Sequence, residues 1–174
     1  MCIHSTCAWL ADCNMAGAAK TVLLKQDSEE WYTLLCKETN GAYKGKYSLP
    51  GGKRDPVDQD CWFNTLRREL IEEIKFEISD ADFWNMFLTP SRKIRLFKMQ
   101  RTVIFVGILP LEFDKDVLNE RIKRDINNVE LDTCLREVED VDWFRIPNLI
   151  KKNGQYVDLP YFVRHSIKRI KPFL

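Results

Sequence analysis

Glu69, Glu72 and Glu73 stand at i, i+3 and i+4 in the run Arg68-Glu69-Leu70-Ile71-Glu72-Glu73. On a helix that spacing places the three carboxylates on one face. Like charges so placed repel one another by a few tenths of a kcal/mol per pair. A hard divalent cation would remove the repulsion and take the oxygens as ligands. Gly51-Gly52 lies upstream. Glycine lets the backbone approach a ligand closely, and a bare carbonyl there can face the same cation. The chemistry this combination suits is metal-assisted attack on a phosphate. Taken alone, a glutamate-rich helix face is most often solvated surface; the Gly-Gly turn and Arg68 weigh the other way.

The elements that must hold these groups can be read from periodicity. Leu66, Leu70 and Ile74 recur every four residues, which predicts a helix over about Cys61 to Ile74. A strand, Lys46 to Leu49, should end at the Gly-Gly turn. Lys20 to Lys25 and Trp31 to Lys37 are apolar runs separated by the polar Gln26 to Glu30, the pattern of a hairpin. Residues 3–13 are expected to form a first strand, and Thr39 to Gly45 a loop. After Phe76 the sequence EISDADFWNMFLTP reads partly as strand and partly as turn. Lys93 to Met99 alternates like a half-exposed strand and turns at Gln100-Arg101 into a buried one, Thr102 to Leu109. Phe113 to Asn128 predicts a helix with Leu118, Ile122 and Ile126 on one side. Val138, Val141 and Trp143 mark a strand edge. The chain should close on a helix capped by Asp158 with Pro160 in its first turn. Phe162, Val163, Ile167 and Ile170 would face inward there, with Arg164, Lys168 and Arg169 outward.

A length of 174 residues with 45% apolar content favours one domain, 1–174, with a sizeable core. No apolar run reaches the length of a membrane span, and the N-terminus lacks the layout of a secretory signal. The six cysteines show no tight pairing pattern, so reduced thiols in a cytoplasmic setting are expected. Cys2, His4, Cys7 and Cys13 match no standard zinc spacing. The net charge of +1 conceals an asymmetry: Arg145 to Leu174 carries seven basic residues against Asp158. A basic tail beside an acidic metal site suits a polyanionic substrate.

The stretch from Gly52 to Phe76 resembles the Nudix box, Gly-x5-Glu-x7-Arg-Glu-U-x-Glu-Glu-x-Gly-U, where U is bulky and apolar. Gly52 matches the opening glycine, and Arg68, Glu69, Leu70, Glu72, Glu73 and Phe76 match in register. Three departures stand out. The interval from Gly52 to Glu69 is two residues longer than the pattern. The first glutamate is replaced, with Asp58 or Asp60 near its place. Lys75 occupies the position of the late glycine, so the helix must end without the residue that enters the left-handed region most freely.

The resemblance implies an α/β/α sandwich around a mixed β-sheet, an α+β arrangement, with the box as strand, loop and helix. It implies Mg2+ or Mn2+ held by the Gly51 carbonyl, Glu69 and Glu73, with Glu72 sharing the cluster. Arg68 would hold a glutamate in place, and Asp58 or Asp60 would have an outer supporting role. Glu137 begins a run, EVEDVDWF, similar to one in which family members place a base or a further metal ligand; Glu130 and Glu139 are the other candidates. Lys53, Arg164 and Lys168 are candidate substrate contacts. The implied reaction is hydrolysis of a nucleoside diphosphate linked to another group. Capped messenger RNA leads, since the box is loosely similar to viral decapping members and the basic tail would track RNA. Small nucleotides, diphosphoinositol phosphates and non-catalytic nucleotide binding are the alternatives. Trp9, Tyr47, Phe105 and Trp143 are aromatics that could stack on a base, with core packing the default.

Overall fold

The computed structural model describes residues 17–59, 61–77, 79–88, 96–99, 101–109, 113–127, 137–150 and 159–174. The strand expected over 3–13, together with Trp9, Asp60, Glu130 and Asp158, lies outside them.

The two apolar runs near the start become β1 (Ala18–Asp27) and β2 (Glu30–Glu38), antiparallel partners with Asp27 opposite Glu30. β1 is buried from both sides at Val22, Leu23 and Leu24, as expected of a strand with helices on both faces. Its other edge pairs in parallel with β5 (Thr102–Ile108), which pairs antiparallel with β4 (Leu96–Met99). β2 divides its partners. Its first half faces β1, Cys36 and Lys37 face β3 (Tyr47–Ser48), and its other edge carries β6 (Val138–Arg145). One parallel pair among antiparallel ones makes the sheet mixed, as expected.

Two apolar clusters cover the two faces. On one, α1 (Trp62–Ile74) lays Leu66, Leu70 and Ile74, all fully buried, against Ala19, Leu23 and Leu34. Burying each such side chain contributes on the order of 2 kcal/mol. The same cluster takes Phe83, Met86 and Phe87 from α2 (Asp80–Leu88), and Leu118 and Ile122 from α3 (Lys115–Asn127). On the opposite face, α4 (Ile146–Ile150) and α5 (Tyr161–Ile170) bring Ile146, Leu149, Val163, Ile167 and Ile170 onto Val22, Leu24 and Leu35. None of the described helices is long and apolar enough to cross a membrane.

Two expectations need correction, and the end of α1 takes a specific form. The stretch after Phe76 is neither strand nor turn over Asp80–Leu88 but helix. Ser79 starts it: its hydroxyl accepts from the Asp82 N–H at 3.2 Å and its carbonyl from the Phe83 N–H at 2.9 Å. The last helix has Pro160, not Asp158, as its capping residue, and the Pro160 carbonyl accepts from Val163 and Arg164. Lys75 does enter the left-handed region, at φ 56°. There the Leu70 carbonyl accepts the N–H groups of both Lys75 and Phe76, and the Lys75 ammonium donates to the Glu72 carbonyl at 2.8 Å and pairs with Asp125 at 2.6 Å.

Candidate functional site

β1 and the segment after β3 build the floor of the site. The Thr21 N–H donates to the Pro50 carbonyl and the Ala19 N–H to the Gly52 carbonyl, each at 2.9 Å. This lays the Gly-Gly turn flat along β1. A side chain on Gly51 would put its Cβ 2.3 Å from the Ala19 carbonyl oxygen, and φ there is +115°. A Cβ on Gly52 would stand 2.2 Å from a Glu69 oxygen. Gly51 is therefore required by its approach to backbone and its φ, whereas a side chain at Gly52 would have to displace the Glu69 carboxylate.

α1 packs over this floor and aims two of its glutamates inward. Glu73 accepts from the Gly51 N–H at 2.6 Å. Glu69 and Glu73 are each only 6% exposed, and carboxylates are rarely buried so deeply without full pairing. Oxygens of Glu69, Glu73 and Glu137 lie within 4.8 Å of one another. Glu137 is exposed and arrives from the start of β6, where its carbonyl accepts from the Thr39 N–H at 2.9 Å.

The electrostatics reflect this crowding. Burial pushes the Glu69 carboxyl up to about 7, with Arg68 opposing and Glu72 and Glu137 adding to the rise. Burial likewise pushes Glu73 up to about 8, against the pull of Lys20 and the Gly51 N–H. Glu38, half-buried on β2, is also raised, first by burial. Burial, more than mutual repulsion, thus disfavours the ionised carboxylates, and a bound cation would favour them. Hard oxygen donors in that state suit Mg2+ or Mn2+, and the residues fit such an ion.

Glu72 does not join them. It is exposed and accepts from Arg68 at 2.8 Å. Arg68 is the hub of a second network. It grips both oxygens of Asp58, at 2.9 Å and 3.0 Å, donates to the Lys53 carbonyl at 2.9 Å, and pairs with Glu69 at 2.9 Å. Asp58 is buried and also accepts from the Thr65 hydroxyl and the Asp55 N–H, each at 2.9 Å. The longer loop accounts for this: it forms a 3-10 turn, Pro56–Asp58, in which Asp55 and Asp58 cap each other. Burial acts to raise the Asp58 carboxyl, but Arg68, Asp55 and Thr65 outweigh it and hold it below the ordinary value. Asp58 thus makes contacts of the supporting kind expected of Asp58 or Asp60.

The other candidates are scattered. Lys53 is exposed and bridges by its backbone to Ala18. Arg164 and Lys168 are exposed on α5, which covers the face opposite α1. Glu139 pairs with Lys37 at 3.0 Å. Phe105 is core, Tyr47 packs edge-on to Phe144, and Trp143 lies under the Lys25 ammonium at 4.5 Å. Sequence reasoning missed Lys20, which donates to the Gly51 carbonyl at 2.5 Å and to the Leu49 carbonyl at 2.9 Å. No signal in its neighbourhood marks it, because both partners lie about thirty residues away and meet it only through strand pairing.

No protein-family model matches the chain. The human mitochondrial coenzyme A diphosphatase NUDT8 is 40% identical over 55 residues, which is 32% of this chain and 23% of that protein. The chain thus aligns with about a quarter of its relative's length. Among solved structures, the NUDIX domain of Shewanella oneidensis NrtR complexed with ADP ribose superposes with a TM-score of 0.57 at 15% identity, covering 91% of this chain and 87% of that one. RenU, a Nudix hydrolase from M. smegmatis, gives 0.50 at 15% identity, covering 91% and 84%. At such identities the likeness establishes the fold, and the fold is that of the Nudix proteins.

Proposed function

We infer that this chain, a Nudix protein by its fold and its box, is a metal-dependent hydrolase, acting as one domain, that cleaves a pyrophosphate bond in a nucleoside diphosphate linked to a second group. The observation that carries the reading is the convergence of Glu69, Glu73 and Glu137 within 4.8 Å beside the Gly-Gly turn.

Mg2+ or Mn2+ held there would neutralise charge on the diphosphate and lower the pKa of a bound water. Glu69 and Glu73 are the carboxylates that would hold the ion. The Gly51 N–H fixes the Glu73 oxygen in place, and Arg68 fixes Glu69 from the side. Glu137, exposed at the mouth, is the group placed to accept a proton from the attacking water at its carboxylate. Glu72 supports through Arg68 rather than as a ligand.

For the second group, two classes are supported by different features. Capped RNA is supported by the basic α5, where Arg164, Lys168 and Arg169 are exposed and Tyr161 stacks on His165. Small nucleotides such as ADP-ribose or coenzyme A are supported by what the similar proteins bind or cleave. The buried thiol of Cys36, which takes part in no disulfide, suits a reducing, cytosol-like compartment.

A panel assay separates these. Capped RNA, ADP-ribose, coenzyme A, a dinucleoside polyphosphate and an oxidised nucleoside triphosphate are each incubated with enzyme and magnesium. Release from capped RNA alone, weakening steeply with salt, selects the RNA class. Release from the free nucleotides selects the small-molecule class. Binding without release from any of them would overturn the hydrolase reading.

A further inference from the structure

The Gly51 carbonyl, which the box resemblance gives to a metal, is already engaged. Lys20 donates to it at 2.5 Å and to the Leu49 carbonyl at 2.9 Å. The same ammonium stands 3.9 Å from Glu38 Oε1, and its side chain is 16% exposed. This placement does not depend on a flexible reach. Lys20 sits in β1 between Ala19 and Thr21, whose N–H groups bind Gly52 and Pro50 on either side of Gly51. A Cβ on Gly51 would come within 2.8 Å of Lys20 Cα, so the turn and the lysine are locked face to face. A buried ammonium is costly without partners; here two carbonyls and the surrounding carboxylates supply them. Burial works against its charge, but Glu73 and, behind it, Cys36, Glu38 and Glu69 more than offset that.

We propose that Lys20 is a built-in cation at the Gly51 carbonyl, taking the place of a metal ion there and leaving the metal to Glu69, Glu73 and Glu137. It is a positioning residue. It holds the turn closed and neutralises one unit of the negative charge that would otherwise attract metal. Its charge lies close enough to any ion on those carboxylates to repel it with little screening. The wild-type site should accordingly bind fewer ions, or bind them less tightly, than its carboxylate count alone would give. The inference rests on the metal-site reading above but not on turnover.

The test is Mn2+ binding to the purified protein without substrate, counted by electron paramagnetic resonance of the free ion and by calorimetry. Lys20→Met keeps the length of the side chain and removes its charge. It should bind Mn2+ at least about fivefold more tightly, or take up one further ion, the direction set by removing a nearby positive charge. Lys20→Gln can still donate to a carbonyl and should show a gain of the same sign, which answers the question should the Met variant not fold. Equal binding in wild type and variants, or weaker binding in the variants, overturns the inference and leaves the metal site standing. No binding in any of the proteins overturns both.

Discussion

Glu69 and Glu73 on one flank of α1, and Asp58, Arg68 and Glu72 on the other, are two charged groups within a turn of each other, built from similar residue types. They differ in what surrounds the charge. On the Arg68 side every formal charge has a partner within hydrogen-bond distance, and Asp58 alone accepts from Arg68, Thr65 and Asp55. Its carboxyl is held below the ordinary value. On the Glu73 side three carboxylate oxygens converge, with Lys20 near Glu73 from β1 and Arg68 paired to Glu69, and two carboxyls are still pushed up by burial. A satisfied network positions. The group whose carboxyls are pushed up is the one proposed to bind the ion.

The largest effect expected from that difference is on turnover. Glu73→Gln keeps an oxygen for the Gly51 N–H but loses the charge, and should cut turnover at least about a hundredfold, the scale for losing a group that stabilises developing charge. Folded stability should hold or rise, because a crowded buried carboxylate is removed. Full turnover of this variant in saturating magnesium would break the distinction between the flanks. Glu137→Gln should likewise cost far more turnover than Glu139→Gln, since Glu139 is occupied with Lys37; equal losses would remove Glu137 from the base role.

Asp58→Ala should act the other way round. It strips Arg68 of its bidentate partner and the 3-10 turn of its reciprocal cap. Breaking a buried pair costs about 3–5 kcal/mol; with Arg68 partly exposed, about 2 kcal/mol is the expected loss. Urea unfolding reads it directly. Manganese affinity should change less than in Glu73→Gln. A variant that kept its stability and lost its metal would reverse the assignment of the two networks.

The two flanks also oppose each other with pH. The carboxyls of Glu69 and Glu73 move from an ordinary 4.5 to about 7 and about 8 in the folded protein. Across that interval the folded form holds more protons than the unfolded one, so their contribution to stability is full below 4.5 and fades as pH rises through 7 and 8. Asp58 is depressed from 3.8. Its contribution is present above that value and is lost as pH falls through its folded value. In chelator, urea midpoints should therefore fall between about pH 5 and about pH 8.5. Magnesium should flatten or reverse the fall, because only the ionised carboxylates take the ion. A midpoint that rises with pH in chelator would mean the acidic flank is neutralised by something else.

What was legible in the sequence follows the same line. The hairpin and the Leu66–Leu70–Ile74 stripe are local patterns, and each stands where periodicity puts it. Asp80–Leu88 was misread because its aromatic content favours strand, although Ser79, three residues before Asp82, carried a capping signal. Glu72 shares a helix face with Glu69 and Glu73 by spacing, yet Arg68, one turn before it, draws it outward. Lys20 depends on contacts about thirty residues apart, and the Asp58 contacts depend on how the loop before α1 folds back on Arg68; no periodic pattern encodes either.

Lys75 gives the smallest effect and the finest test of which box positions serve the fold and which the chemistry. It replaces a glycine of the pattern, and it sits at φ 56° on the side of α1 where charges are satisfied, with its ammonium on the Glu72 carbonyl and on Asp125. A non-glycine residue in that region is strained by about 1–2 kcal/mol. Lys75→Gly relieves the strain but gives up the Asp125 pair and frees the unfolded chain, so its net change should fall within about 0.5 kcal/mol of zero. Lys75→Ala gives up the pair and keeps the strain, and should be less stable than Lys75→Gly by about 1 kcal/mol. Thermal unfolding of the two variants side by side measures the difference, and neither should alter metal binding at Glu69 and Glu73. Equal stability of the Gly and Ala variants would mean that the helix end carries no strain, and that Lys75 is held there by its partners rather than in spite of its backbone.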